Sequence, residues 1–267
     1  MQDRHRRRLA DFPFWLLAIA LLGVLALWAI VSNQGYAQIF TALSDGIVTT
    51  LWVTLVAFAL AIMLGLVIAL MRTSGRALLV QVATFYTELV RGIPILVFLF
   101  YIAFVGAPAT IVAANWLTQP LQHLGWMPML TVRNFDLTWR AIVALTICYS
   151  AFLAEIFRAG IQAVPEGQLE AARALGLSRG QIFRKIVAPQ AFRIILPPLG
   201  NDFISMIKDS ALVSSLGVQD ITQLGKVYSS ATFKFFETYN VVAFLYLTMT
   251  ISLSLIVRFI EQRFHRY

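Results

Sequence analysis

Six stretches of about 20 mainly apolar residues occur along this chain of 267 residues, and no other feature limits its fold so strictly. A helix of roughly 20 apolar residues crosses the roughly 30 Å hydrocarbon core of a membrane. Lipid offers no partner for unpaired backbone groups, and no alternating barrel-strand pattern occurs, so each stretch is predicted to be helical. The predicted fold class is an all-α integral membrane protein with about six transmembrane helices, at 13–31, 47–70, 80–104, 140–161, 194–216 and 241–260.

The composition agrees with a membrane protein, because 59% of the residues are hydrophobic, only 13% are charged and the mean hydropathy is +0.77. Cytoplasmic loops carry an excess of Lys and Arg, so we expect both termini and the connection after the fourth span to be cytoplasmic. The basic residues on that side are Arg4, Arg6, Arg7, Arg8, Arg72, Arg76, Arg173, Arg179, Arg184, Lys185, Arg193, Arg258, Arg263 and Arg266. The opposite loops hold only Arg133, Arg140, Lys226 and Lys234. Topology thus accounts for the net charge of +8, and no basic soluble face indicates nucleic-acid binding.

The first apolar stretch follows a cluster of arginines and has two interpretations. A secretory signal peptide is one, but the apolar run exceeds the roughly 7–15 residues usual for a signal, and no clear small-residue cleavage site follows. We therefore favour an uncleaved anchor. The domain plan is a cytoplasmic basic tail at 1–12, an extra span with an external linker at 13–42, a main membrane domain at 43–262 and a cytoplasmic tail at 263–267.

A soluble-looking segment at 165–189, hereafter the hinge, separates the fourth and fifth spans. Gly176 suits the left-handed position just beyond the end of a first helix. Ser178 and Gln181 have the spacing of a capping box for a second helix, which Pro189 is expected to end. The hinge is therefore predicted to form a helix, a sharp bend and a second helix. An ordinary cytoplasmic loop and a docking element for a soluble partner both fit this local pattern.

Longer motifs extend this pattern over most of the chain. Residues 149–181 read YSAFLAEIFRAGIQAVPEGQLEAARALGLSRGQ, residues 88–94 read ELVRGIP, and LPPLGN at 196–201 leads to KDSAL at 208–212. From about residue 43 to about 262 the chain resembles the permease subunits of bacterial ABC importers, in the polar amino-acid transporter family. The resemblance implies a five-helix permease core plus the extra N-terminal span, an EAA-type coupling hinge, and import by alternating access across the cytoplasmic (inner) membrane.

The resemblance also implies partners. A dimer of ABC ATPase subunits would dock on the hinge, a soluble extracytoplasmic amino-acid-binding protein would deliver the substrate, and a second permease, identical or related, would complete the path. The residues expected to couple the hinge to the ATPase are Glu170, Ala171, Ala172 and Gly176. The outer connection at 106–139 is predicted to be a short helical excursion along the surface. Together with the outer connection at 217–240, it could form a landing surface for the delivery protein, or both could be solvated loops.

The chain carries no sequence signature of a catalytic or metal site. It lacks the G-x-x-x-x-G-K-[ST] phosphate loop, its three histidines are scattered, and its only cysteine, Cys148, falls in a predicted span. We expect a non-catalytic subunit that binds no cofactor or metal, with ATP used by the partner ATPase. The alternative function is an ion-gradient-driven secondary transporter or channel, energised through the buried carboxylates Glu88, Glu155, Asp202 and Asp209.

Polar residues inside a membrane are costly and therefore mark candidate functional sites. On the fifth span, five of them fall within a helical sector of about 120°. This set, the polar stripe, comprises Asn201, Asp202, Ser205, Lys208 and Asp209. Pro197, Pro198 and Gly200 precede it, so the helix is expected to be kinked or broken there, as at midplane ligand sites. In the resembled family residue 202 is often an uncharged amide, and an aspartate here suggests basic substrates such as arginine, lysine or ornithine.

Two further polar pairs lie near the cytoplasmic ends of the third and fourth spans. Glu88 precedes Arg91 by three residues, and Glu155 precedes Arg158 by the same interval. Spacing of i, i+3 brings side chains together on a helix, so each pair is predicted to neutralise itself. Contact with the substrate is the alternative role for these four residues.

Overall fold

The computed structural model describes the backbone of residues 14–265 and the side chains of residues 17–263. Regular structure in this range is helical, with no β-strand, which confirms the predicted all-α fold. The predicted tail at 1–12 lies outside the described residues, and so do Arg4, Arg6, Arg7, Arg8 and Arg266.

Ten α-helices are present in the described part of the chain: α1 Phe14–Ser32, α2 Gln34–Arg72, α3 Ala77–Gly92, α4 Ile95–His123, α5 Leu137–Gln162, α6 Glu166–Ala174, α7 Arg179–Ile182, α8 Ala188–Asp209, α9 Ile221–Thr232 and α10 Phe235–His265. By length and composition, α2, α4, α5 and α10 can each cross a membrane, and the apolar part of α1 is shorter. Helix α8 carries the predicted fifth span, and its polar stripe explains why hydropathy alone does not select it.

The apolar stretch at 80–104 forms parts of two helices rather than one. Helix α3 ends at Gly92, Ile93 is extended with φ −103° and ψ 131°, and α4 starts after Pro94. The ring of a proline disfavours α conformation in the residue before it, so Pro94 forces this break. Helix α4 then continues to His123 through a π-helical turn at Ile102–Gly106, so the first half of the connection at 106–139 is helical, as predicted.

Helix α5 lies at the centre of the bundle and packs mainly on α2. Small residues allow the close approach, since a Cβ added at Gly65 would lie 2.9 Å from the carbonyl oxygen of Ser150. Side chains from both helices, among them Val53, Ala57 and Leu145, form the largest buried cluster. Close contact through small residues is the usual way helices associate in lipid, where the hydrophobic effect between helices is absent.

Prolines do not end the helix that follows the hinge, contrary to the stop predicted at Pro189. A π-helical turn at Phe183–Val187 joins α7 to α8, with the Ala188 amide donating to the carbonyl of Phe183, and the helix passes Pro189. Helix α8 also continues through Pro197 and Pro198 as far as Asp209. Of the kink or break expected before the polar stripe, the break is therefore absent.

The hinge connects α5 to α8 at one end of the bundle, hereafter the hinge end, and the opposite end is called the distal end. At the distal end, α8 passes into a 3-10 segment at Ser210–Leu216, which Gly217 ends with φ +87°. Helix α9 follows and packs on α2 and α10. The polar stripe therefore lies between the hinge and the 3-10 segment at Ser210–Leu216.

Candidate coupling and translocation sites

The hinge has the geometry that its sequence predicts. Gly176 has φ +75°, its amide donates to the carbonyl of Arg173 (2.9 Å), and the Leu177 amide donates to that of Ala172 (3.1 Å). These two bonds form a Schellman motif, which ends α6 with a left-handed residue. The Ser178 and Gln181 side chains then cap each other's backbone amides in a complete capping box. The bend is therefore held by backbone hydrogen bonds at both sides.

A small apolar core makes the hinge a rigid unit. Its buried members are Val164, Ala172, Ile182 and Val187. Ala172 is 2% exposed, so it cannot reach a partner protein, whereas Glu170 and Ala171 on the same helix are exposed. Ala172 was expected to contact the ATPase, but it packs inside the hinge instead. The exposed tip instead presents Leu175, whose side chain is 81% exposed.

The polar stripe is half covered by this chain. Asp202, Ser205 and Asp209 are partly buried, while Asn201 and Lys208 are exposed. The Tyr149 hydroxyl of α5 donates to Asp209 Oδ2 at 2.7 Å. Within the described side chains, no carboxylate oxygen lies within 4.0 Å of the Lys208 nitrogen, so Lys208 neutralises neither aspartate. The stripe thus presents two carboxylates, one of them held by a tyrosine, along an open face.

A cluster of three arginines around Glu155, hereafter the Glu155 cluster, joins α2, α3 and α5. Arg72 forms an ion pair and hydrogen bond with Glu155 Oε1, and Arg158 donates to Oε2 from Nη2 at 2.7 Å. Arg91 lies 3.7 Å from Oε1, and its guanidinium carbon is 5.6 Å from the centroid of the Phe152 ring. The predicted pairing of Glu155 with Arg158 is present.

The predicted pairing of Glu88 with Arg91 is absent. Glu88 is exposed, and no arginine or lysine nitrogen in the described part of the chain lies within 4.0 Å of its carboxylate. Arg91 turns instead toward the more buried carboxylate of another helix. An ion pair in a partly buried site is more stabilising than one at an exposed surface. The contact of Arg91 with Glu155 therefore prevails over the local pairing with Glu88.

Sequence reasoning missed Arg72, Tyr149 and Phe152. Arg72 was assigned only to the basic flank of a span, and the two aromatic residues appeared only as part of the motif at 149–181. A local signal does exist, since Tyr149, Phe152 and Glu155 follow one another at intervals of three on α5 and share a side of the helix. The helices that supply their partners cannot be read from that spacing. In the described range, no group of three His, Cys, Asp or Glu side chains has the arrangement of a metal site.

With this geometry established, comparison with known proteins identifies the family. The sequence model of the family described as "Binding-protein-dependent transport system inner membrane component" matches residues 61–266. The chain belongs to this family. The match starts within α2 and includes α5, the hinge, the Glu155 residue and the polar stripe.

Individual relatives of this permease agree with the family. GlnM of Bacillus subtilis (strain 168), a probable glutamine ABC transporter permease, is 36% identical over 227 residues, covering 85% of this chain and 95% of GlnM. ArtQ of the same organism, an arginine transport system permease, is 31% identical over 219 residues, covering 82% and 90%. Among solved structures, an amino acid ABC transporter with histidines has 37% identity and a TM-score of 0.70, covering 88% of the permease and 98% of that chain.

Proposed function

We infer that this permease is the membrane-spanning subunit of an ATP-driven importer of polar amino acids. The observation that carries this inference is the hinge: a rigid helix–bend–helix element with its own small core, attached directly to α5 and α8. A self-contained channel or ion-driven transporter has no use for such an element. Two of the four carboxylates on which that alternative depends are also engaged, since Glu155 is paired with arginines and Asp209 accepts from Tyr149.

The mechanism follows from the attachment of the hinge. A separate ATPase subunit pushes on the exposed tip around Leu175 when it binds ATP. The hinge core moves as one body because its buried side chains interlock, and α8 moves with it because α7, the π turn and α8 are continuous. The polar stripe is thereby reoriented between the two sides of the membrane. This chain supplies the lever and the path, and the partner supplies hydrolysis of ATP.

The arrangement of the partners completes this proposal. Two ATPase subunits face the hinge end, which is cytoplasmic together with both chain termini. A soluble binding protein delivers the amino acid at the distal end. A second permease, identical or related, covers the open face on which Asn201 and Lys208 are exposed.

The substrate proposal rests on the polar stripe, because the named relatives differ: one is called a glutamine and another an arginine permease. Asp202 and Asp209 lie on one helix face seven residues apart, about 10 Å along the axis. Two carboxylates without a lysine partner favour a substrate with an extra cationic group. Arginine, lysine and ornithine are therefore the proposed substrates.

Asp202→Asn is the variant that tests this substrate class. Removing one charged hydrogen bond, worth about 1.5 kcal/mol, should lower the preference for arginine over glutamine about ten-fold. Ser205→Ala, in the same stripe, should leave that ranking unchanged. Competition uptake in proteoliposomes measures the ratio, and an unaltered ratio in Asp202→Asn would refute the basic-substrate proposal.

The function itself is tested by reconstitution with the co-expressed ATPase and binding protein. Uptake that requires ATP and is strongest for arginine, lysine or ornithine is the expected result. ATP-dependent uptake that prefers glutamine would keep the importer and overturn the substrate class. Uptake driven by a proton gradient without ATP would overturn the importer.

A further inference from the structure

The distal part of α4 and the loop that follows it have a surface unlike that of a solvated connection. No Asp, Glu, Lys or Arg occurs between Arg91 and Arg133. Helix α4 has 29 residues, so it is about 44 Å long at a rise of 1.5 Å per residue, longer than the roughly 30 Å hydrocarbon core. Its last turns must therefore reach the distal boundary of the membrane or lie along it.

A buried arginine fixes the level at which α4 leaves the bundle. Arg140, in the first turn of α5, is 7% exposed and donates to three carbonyls, those of Phe135 (2.6 Å), Val132 (2.5 Å) and Ala103 (3.2 Å). The π turn sends the Ala107 amide to the carbonyl of Ile102, which leaves the Ala103 carbonyl for Arg140.

The start of α5 is thus attached to α4 at Ala103, in the first third of that helix. The segment at 107–131, hereafter the distal hairpin, consequently continues beyond the bundle. A π turn followed by Pro108 is a place at which helices commonly bend, so a change of direction here is expected.

The distal hairpin has polar contacts inside and mainly apolar side chains outside, with Gln119 and His123 as exposed polar residues. Asn115 Nδ2 donates to the carbonyl of Leu130 (2.8 Å), and its Oδ1 accepts from the Leu130 amide (2.9 Å) and from Gln122 Nε2 (3.0 Å). Gln122 also donates to Thr118. The large apolar side chains point away from this polar seam, with exposures between 65% and 77%: Val112, Trp116, Leu117, Leu124, Trp126 and Met129. Water would favour the opposite arrangement.

We propose that the distal hairpin lies in the interfacial layer of the bilayer leaflet at the distal end, with its apolar face against lipid. Three observations favour lipid as the occupant. The hairpin continues the apolar helix that begins at Ile95, it has no Asp, Glu, Lys or Arg, and it presents tryptophans from both of its arms. Tryptophan is enriched where hydrocarbon meets headgroups. The hairpin is therefore a membrane anchor for α4 and is not the surface on which a delivery protein lands.

The test first removes the single cysteine of the chain, so that one labelled cysteine can then be introduced at a time. Cys148 is buried, and Cys148→Ala removes it. Leu117→Cys and Gln219→Cys are then made separately, labelled with bimane in detergent, and the assembled transporter is placed in lipid nanodiscs. Gln219 is the matched control, since it is exposed at the same end and lines a cavity of about 520 Å³ whose walls include the charged residues Arg133 and Asp136.

Brominated lipids and aqueous iodide then report what covers each label. Brominated lipid should quench the Leu117→Cys label several-fold more than the Gln219→Cys label, with the order reversed for iodide. Equal iodide quenching of both labels would place the hairpin in water and overturn the proposal. Protection of the Leu117→Cys label from both quenchers would mean that a protein subunit covers the hairpin, which also overturns it. Neither outcome affects the inferred import function, which is measured separately by uptake.

Discussion

Glu155 is a single carboxylate that contacts guanidinium groups from three helices. Arg72 ends α2, Arg91 lies near the end of α3, and Arg158 follows Glu155 on α5. The negative charge of this carboxylate therefore allows three guanidinium groups to lie close together. Without it, their mutual repulsion would separate the hinge ends of these helices.

Glu155→Gln should consequently destabilise the permease. Removing one partner of a partly buried ionic network leaves the remaining charges unpaired, with a cost on the order of 2 kcal/mol or more. Glu88→Gln is the matched control, because Glu88 is an exposed glutamate without a close cation in the described structure, and it should change stability little. Fluorescence-detected size exclusion after heating measures the difference. Equal melting curves for the two variants would contradict a stabilising role of the Glu155 cluster.

At the scale of the element, the hinge is a bend whose two sides are independently specified. The Schellman motif at Gly176 terminates α6, and the capping box of Ser178 and Gln181 begins α7. Since both devices depend on short-range hydrogen bonds, the bend does not need the rest of the bundle for its shape. Its small core around Ile182 then fixes the angle at which α6 meets the helix that continues into α8.

Gly176→Val should uncouple ATP hydrolysis from transport and leave membrane insertion intact. A Cβ at this residue would meet no atom within 4 Å, so the whole effect comes from the positive φ, at roughly 1–2 kcal/mol of backbone strain. Gly176→Asn is the control, since asparagine tolerates the left-handed region. The measurement is the ratio of amino acid imported to ATP hydrolysed. Normal uptake by Gly176→Val would refute the description of the hinge as a lever.

At the scale of the whole molecule, α9 closes the distal end by packing on α2. The Thr50 hydroxyl accepts from the Ile221 amide (3.4 Å), and buried Asp220 caps α9 through the Gln223 amide (2.8 Å) while accepting from Tyr246 of α10 (3.1 Å). Burial raises the pKa of the Asp220 carboxyl, and the hydrogen bonds from Gln223 and Tyr246 partly oppose this rise. The consecutive helices α9 and α10 therefore meet α2, which is distant in sequence, at one polar joint.

Gly46→Val should prevent this joint from closing. A Cβ at Gly46 would lie 2.6 Å from the Ile221 nitrogen, and backbone cannot move aside as a flexible side chain can. Overpacking of this kind costs roughly 1–3 kcal/mol, so the yield of folded permease should fall. Gly23→Val on α1 is the control, because nothing lies within 4 Å of its added Cβ. A folded yield of Gly46→Val equal to that of Gly23→Val would disprove close packing of α9 on α2.

The sequence predicted the features that depend on neighbours along the chain. Apolar length predicted the helical class, and the glycine and capping-box spacing predicted the form of the hinge, because these signals act within a few residues. Helix termination at Pro189 was predicted wrongly by the same local rules, and of the kink or break expected near Pro197 the break is absent. A proline removes one amide donor, but a π turn next to Pro189 keeps the helix continuous, and α8 includes Pro197.

Only the tertiary structure decided which residues meet across helices. The spacing of Glu88 and Arg91 is the same as that of Glu155 and Arg158, yet only the second pair forms. Likewise, Ala172 became interior to the hinge although it belongs to the same short motif as exposed Ala171. Helical periodicity determines which residues share a face, whereas burial and electrostatic attraction between distant segments determine what that face contacts.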